Sequence, residues 1–535
     1  MSETAMVVCT ICGRVHERRL MNQIDWLAPD VIARMATDNP HWKRSDGACP
    51  ACVQKALLQI LLEQGDEAAH RSIQSVWPLD AESAFGALPT PLRMHADPRF
   101  SGKGVTIAFI DSGFYPHPDL TQPVNRIKAW VDAGSEDIES EFYTPDDAPT
   151  WRGYDDGMPS HWHGLMTSTT CAGNGWLSNG LYRGIASEAE LVLIQVMDAR
   201  GWITNDSIAR ALHWLEANLE RLGVRVVNIS LGGDPVEVLV GNAIDSAIER
   251  LLARGVAFSV AAGNNGERYL NPPATSPHAL TVGGLDDHNL FDHAHLSLWH
   301  GNYGVGSGGG IKPEIVAPSI WVVAPILPGS GVAREAAELF SKRIYKNSQR
   351  MRQIEDRKLV TPHYQHVDGT SFAAPIVTSI MACMIEANPE LTPVQVNEIL
   401  LWTAHRIPGV PVERQGYGAV EAGHAIAAAT AERMERGVGF VQFPRVEADK
   451  ITFLFHDHDV QQVQVVGSWN GWRLPGLLAV AKEPGVFLAS TQRFPKGRYA
   501  YKFVLDGERP LHDPANPNKV FDGIAGFNSV LEIRD

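Results

Sequence analysis

A heptad, Gly369-Thr370-Ser371-Phe372-Ala373-Ala374-Pro375, heads a run of small and apolar residues that continues through Cys383 and Met384. The run suits a buried helix. Ser371 is then expected in its first turn, where unpaired N–H groups and the positive end of the dipole support developing negative charge. Pro375 falls early enough in that helix to be tolerated. Three other residues have complementary chemistry. Asp111 follows the apolar run 105–110; His163 is followed by Gly164 and by the small, polar stretch 167–173; Asn264 follows 256–260 through Ala261, Ala262 and Gly263. A histidine near neutral pKa is a proton shuttle, a carboxylate can orient it, and an asparagine amide can donate to an oxyanion. Singly, each has an ordinary reading: N-cap, strand-end cap, satisfied histidine, turn former. Their occurrence in the order Asp, His, Asn, Ser, each at the edge of an element, favours acyl transfer.

The elements that must position these residues are legible from pattern. Continuous apolar runs of strand length, such as 105–110 and 256–260, are typical of parallel strands buried on both faces. Functional side chains of α/β folds collect at the carboxyl ends of such strands. The stretch 167–173 is expected to be helical and to end at Gly173.

These segments resemble the subtilases, the subtilisin-like serine peptidases. The matching text is IDSG at 110–113, HG at 163–164, VVNISLGG at 226–233, AAGN at 261–264, KPEIVAP at 312–318 and GTSFAAP at 369–375, within roughly residues 100–430. The resemblance implies an α/β fold with a parallel sheet flanked by helices, and serine-type endopeptidase activity. It implies that Asp111 orients His163, that His163 takes the Ser371 proton, and that Asn264 with the Ser371 N–H holds the oxyanion. It also implies that Ser230, Leu231 and Gly232 bind substrate backbone as an added strand, giving broad specificity. The chain departs from the family at Leu165 and Met166, where Thr and Val usually stand. His161 lies two residues before His163; only His163 has the following glycine. Calcium is not readable from the sequence.

Two CxxC pairs, Cys9 with Cys12 and Cys49 with Cys52, lie 36 residues apart. Four thiolates complete a tetrahedral site, so the pattern points to structural zinc; independent redox motifs or disulfides are the alternatives. Gly13 suits a tight metal-binding turn. Residues 29–35 and 53–64 suit helices, and residues 1–75 carry eight Lys and Arg against nine Asp and Glu, so no basic footprint argues for DNA.

Texture changes near Val446. Residues 451–455, 460–466 and 499–505 read as strands of a small all-β, immunoglobulin-like sandwich. This part resembles the family 48 carbohydrate-binding modules, including the glycogen-binding module of the AMP-activated protein kinase beta subunit, through VGSWNGW at 466–472, GRYAYKFVLDG at 497–507, HDPANP at 512–517 and FNSVLEI at 527–533. The resemblance implies Trp472, Lys502 and Asn528 as contacts to an α-glucan such as glycogen. The second platform tryptophan, usual ahead of HDP, is replaced by Arg509, Pro510 and Leu511.

The expected organisation is a zinc-binding module over 1–62, a linker over 63–98, a peptidase domain over 99–434 and a β-sandwich over 446–535. The formal net charge of −15, from 46 basic and 61 acidic residues, disfavours nucleic acid and anionic membrane as partners. With no apolar run of spanning length and no recognisable signal peptide, a cytoplasmic location is expected. Two further segments flank the expected cleft: 134–157, with eight acids against Arg152, and 331–359, with eight bases against four acids and apolar residues Val332, Ala336, Leu339, Phe340 and Ile344 at helical spacing. Their opposite charge suggests a basic helical lid docking on an acidic loop. The rival to an enzyme is a catalytically silent peptidase-fold scaffold that binds glucan and a protein partner.

Overall fold

A computed structural model of the 535-residue chain describes residues 6–13, 15–17, 29–49, 52–53, 55–56, 59–60, 87–149, 161–178, 180–234, 242–289, 296–307, 309–340, 348–434, 444–456, 460–483, 486–507, 509–513, 516, 519–521 and 527–533. The central body is built on the strands β1 (Thr106–Asp111), β2 (Ile127–Asp132), β3 (Glu139–Phe142), β4 (Glu190–Gln195), β5 (Val224–Ile229), β6 (Ala257–Ala261), β7 (Leu280–Asp286), β8 (Ser297–Leu298) and β9 (Ile315–Pro318). They form one nine-stranded sheet in the order β8-β7-β6-β5-β1-β4-β2-β3, with β9 pairing with β7. Every neighbouring pair is parallel except β2 with β3 and β7 with β8.

Side chains alternate across a strand, so each inner strand feeds two cores. From β1, Ile107 and Phe109 join one cluster and Ala108 and Ile110 the other. The first cluster is closed by helices α1 (His161–Ala172) and α4 (Thr370–Ala387); the second by α2 (Asn205–Leu222) and α3 (Ala243–Ala253). Helix α4 is long and apolar enough to cross a membrane, but nearly all of it is buried inside this body. It runs through the centre and packs on α1 and on strands β5 to β7.

Residues 87–98, placed in a linker on sequence, are instead part of this body. Arg93 is buried and forms a two-pronged ion pair with Asp287, while its remaining N–H groups donate to the carbonyls of Ile320 and Trp321. A buried guanidinium needs such partners, and Asp287 lies too far along the chain for local pattern to reveal it. Residues 63–86 of the same segment lie outside the described residues.

The basic segment is helical in both of its described parts. It forms Gly331–Phe340 and Ser348–Asp356, with 341–347, and so Ile344, outside the described residues. The two helices share a small core of Ile326, Ala336, Leu339, Ile354 and Leu359. Arg357 pairs with Glu335, and Lys358 with Asp368. Of the acidic segment, Glu139–Phe142 is the edge strand β3, and residues 150–157 lie outside the described residues.

At the amino end, Met6–Val8 and Val15–Glu17 make a hairpin, Pro29–Asp38 is helical as expected, and the described residues between 52 and 60 are also helical. At the carboxyl end, a four-stranded and a six-stranded antiparallel sheet face each other across Phe453, Phe487, Tyr501, Phe503 and Leu531. This is the sandwich expected from the strand pattern.

Candidate active site

Strand β1 ends on Asp111, whose carboxylate is buried at the carboxyl edge of the sheet. It takes four donors: His163 Nδ1 at 2.7 Å, Thr167 Oγ1 at 2.8 Å, the Ser112 N–H at 2.7 Å and the Ser112 hydroxyl at 3.2 Å. With Nδ1 committed to Asp111, the neutral His163 ring keeps Nε2 as the open base. Burial lowers the pKa of this ring, but the charge and hydrogen bond of Asp111 together outweigh burial and hold it above its ordinary value of 6.5.

His163 sits inside the first turn of α1, whereas the sequence pointed to a helix beginning later. Gly164 explains the following glycine: a Cβ there would lie 2.1 Å from the Gly113 carbonyl, so only glycine lets α1 approach the loop after β1 this closely. Leu165 and Met166 are accommodated in the core. His161 is placed elsewhere; its Nδ1 meets the Phe114 carbonyl at 3.0 Å and burial lowers its pKa.

Ser371 is the second residue of α4. Its hydroxyl donates to the Ser230 carbonyl at 3.1 Å, and the Ser230 hydroxyl donates back to the Ser371 carbonyl at 2.8 Å. Pro375 accounts for the second bond. It stands in the second turn of α4, deeper than expected, and its missing N–H would have bonded the Ser371 carbonyl. The Ser230 hydroxyl satisfies that carbonyl instead, and Asn228 Nδ2 in turn donates to Ser230 Oγ at 2.9 Å.

Asn264 follows β6. Its Oδ1 accepts from the Thr370 N–H at 2.9 Å and from the Thr370 hydroxyl at 2.8 Å, which leaves the Nδ2 donors as the free edge of the amide. The Thr370 hydroxyl also accepts from the Gly263 N–H at 3.0 Å. Ser230, Leu231 and Gly232 follow β5, with Ser230 buried and Gly232 exposed. One neighbourhood thus holds a carboxylate-oriented imidazole, a hydroxyl at a helix N-terminus and an oriented amide donor, the equipment of acyl transfer.

Thr167 and Thr370 were missed as supporting residues. Thr167 lies four residues after His163 on one helical face and would have been found had α1 been started at His161. Thr370 lay within the matched heptad, but only the fold shows its hydroxyl between Gly263 and Asn264.

The four amino-terminal cysteines converge, with their sulfur atoms all within 4.8 Å of one another. Cys9 lies 3.9 Å from Cys52 and Cys12 3.7 Å from Cys49. A tetrahedral ion with bonds of about 2.3 Å requires sulfur separations of about 3.8 Å, so this set can hold a metal ion. Gly13, at φ 72°, closes the first turn by donating to the Cys9 carbonyl.

In the sandwich, Trp472 is 41% exposed. Lys502 pairs in register with Val466, and its neighbour Tyr501 pairs with Gly467 and Ser529. Tyr501 points into the core, so alternation turns Lys502, and Asn528 beside Ser529, to the outer face. Trp469 is stacked on Phe453, tilted against Phe494, and packs partly buried against the core. Where the second platform tryptophan is absent, Arg509–Leu511 is a short strand whose Arg509 and Pro510 are exposed. Asp513 and Asn516 of the HDPANP stretch are buried on the Tyr501 hydroxyl.

Comparison with known proteins places the central body in a family. The chain is 30% identical over 336 residues to "Serine protease AprX" of Bacillus subtilis (strain 168), covering 61% of this chain and 67% of that protein. It is 28% identical over 305 residues to "Subtilisin Savinase" of Lederbergia lenta, covering 57% of this chain and 84% of that protein. Residues 451–535 match the profile described as the glycogen recognition site of AMP-activated protein kinase. Residues 102–418, the body that carries Asp111, His163, Asn264 and Ser371, match the profile of the Subtilase family, and the chain belongs to that family of serine proteases.

Proposed function

We propose that this chain is an intracellular endopeptidase that hydrolyses peptide bonds through an acyl-enzyme on Ser371, and that its carboxyl-terminal module holds it at an α-glucan such as glycogen. The observation that carries the reading is the line of hydrogen bonds from Thr167 through Asp111 to His163, with Ser371 and the amide edge of Asn264 at the neighbouring helix start. Substrate backbone pairs with Ser230, Leu231 and Gly232. Its arrival displaces the Ser371 hydroxyl from the Ser230 carbonyl and frees it to turn toward His163.

Ser371 Oγ then attacks the scissile carbonyl as His163 Nε2 takes its proton, and the imidazolium is stabilised by Asp111. The oxyanion is met by Asn264 Nδ2 and the first-turn N–H of Ser371. Collapse breaks the C–N bond, and His163 returns the proton to the leaving amine. Water repeats the sequence on the ester, restoring Ser371.

The amino-terminal cluster would hold zinc through Cys9, Cys12, Cys49 and Cys52. The ion would supply a structural cross-link between the hairpin turn and the turn at 49–52, and no chemistry of hydrolysis. None of the six cysteines is joined in a disulfide, which suits a reducing compartment. Trp472 would stack on a sugar face while Lys502 and Asn528 bond hydroxyls. Release of peptides from a denatured protein tests the reading: wild type should cleave and Ser371→Ala should not. Cleavage that survives the substitution would reject it.

A further inference from the structure

Two exposed tryptophans, Trp162 beside His163 and Trp321 beside His366, have no part in the chemistry above. Trp162 is 40% exposed and meets the His163 ring edge-on, with centroids 5.3 Å apart and planes at 80°. The turn that carries it is fixed by the bond from His161 to the Phe114 carbonyl. Trp321 is 38% exposed and edge-on to His366 at 5.6 Å. Arg93 grips the carbonyls of Ile320 and Trp321, so this backbone is also fixed.

Trp321 immediately precedes the strand Val322–Pro325, which packs against α1 and pairs with Tyr364–Val367, the strand leading into Ser371. Two residues before Trp321, the Ser319 carbonyl takes the Gly369 N–H at 2.7 Å. Trp162 thus adjoins the His163 ring, and Trp321 adjoins the backbone that leads into Ser371, whereas Ser230–Gly232 leaves β5. His163 must protonate the leaving amine, so the residue after the cut passes on the histidine side.

We propose that Trp162 and Trp321 form the wall that receives the side chain of the residue just after the scissile bond, selecting aromatic and large apolar side chains there. This rests on the acyl-enzyme reading above. Two rigid aromatic faces, each already held in place, can take an incoming ring without first being ordered, and one such contact is worth roughly a tenfold preference.

Nucleophile competition tests this. A peptide ester loads Ser371 with an acyl group and leaves nothing beyond the cut. An added amino-acid amide then competes with water: its nitrogen bonds the acyl carbon, the bond to Ser371 Oγ breaks, and the amine proton passes through His163 to Ser371. The partition ratio belongs to one acyl-enzyme, so a general loss of activity cancels from it. Wild type should prefer phenylalaninamide over glycinamide by about tenfold. Trp162→Ala and Trp321→Ala should each reduce that preference severalfold, and Trp162→Phe should retain most of it. No aromatic preference in wild type, or a preference unchanged in both alanine variants, overturns the proposal. Failure of wild type to turn over any ester instead overturns the acyl-enzyme reading, and this inference falls with it.

Discussion

Ser371 and Ser230 bond reciprocally, each hydroxyl donating to the other's carbonyl, at 3.1 and 2.8 Å. The proline in the second turn of α4 makes this possible, because it leaves the Ser371 carbonyl without its helical donor. Ser230→Ala should therefore strand a buried carbonyl and destabilise the peptidase domain by about 1–3 kcal/mol. Pro375→Ala in the same chain should recover part of that loss by restoring an N–H. Thermal unfolding of the single and double variants checks this; additive losses would show that Ser230 is not acting as the missing donor.

Thr370 orients Asn264 from two sides of one oxygen. Asn264→Ala should lower kcat by about 10²- to 10³-fold with little change in KM, the usual cost of one oxyanion donor. Thr370→Val, which removes only the hydroxyl, should cost about tenfold, and the double variant should be no slower than Asn264→Ala alone. Steady-state kinetics on one peptide substrate separates these outcomes, since independent roles would multiply.

The pH dependence follows from His163. Burial lowers its pKa, yet Asp111 carries it above the ordinary 6.5, and only the neutral ring is a base. The acid limb of kcat/KM should have its midpoint above 6.5. Asp111→Asn should move that midpoint down, because burial then acts alone, and should slow turnover by about 10⁴-fold. For stability the sign is opposite. A folded pKa raised above the unfolded value contributes fully below the unfolded pKa, and the contribution is lost as pH rises through the folded one. An acid limb that does not move in Asp111→Asn would contradict the pairing.

Much of this site was readable because its positions obey strong local rules. The run 105–110 supplied β1 because it is almost wholly apolar and buried on both faces, and Asp111 marks where it stops. Helix α1 was started too late because its stretch of Thr and Ser is buried on nearly every side and so has no amphipathic period to read. Arg93 with Asp287, and Tyr364 with Asp119, join residues remote in sequence, so no window could find them. For the same reason the reciprocal bonding of Ser371 with Ser230 appears only in the folded chain. The cysteine spacing named the four members of the cluster, but their convergence depends on the hairpin and the turn at Cys49.

The purified chain should contain about one zinc ion, held by four thiolates. Cys12→Ser with Cys49→Ser should abolish it. Metal analysis with cobalt substitution, read by thiolate charge-transfer absorption, decides between zinc and an empty or redox-active set.

Glycogen should sediment the wild-type protein, and Trp472→Ala should weaken that binding by about tenfold or more, since Trp472 is exposed and Arg509–Leu511 stands where a second platform tryptophan would share the stacking. Lys502→Ala should weaken it less. Equal sedimentation of wild type and Trp472→Ala would remove Trp472 from the glucan site.

Covalent labelling of Ser371 tests the central claim most directly. A fluorophosphonate should add one equivalent to the wild-type protein, located by peptide mass mapping to the segment containing Ser371, and should fail on Ser371→Ala and slow severely on His163→Ala. Absence of labelling in the folded wild-type protein, or labelling that persists in Ser371→Ala, would contradict the assignment of Ser371 as nucleophile.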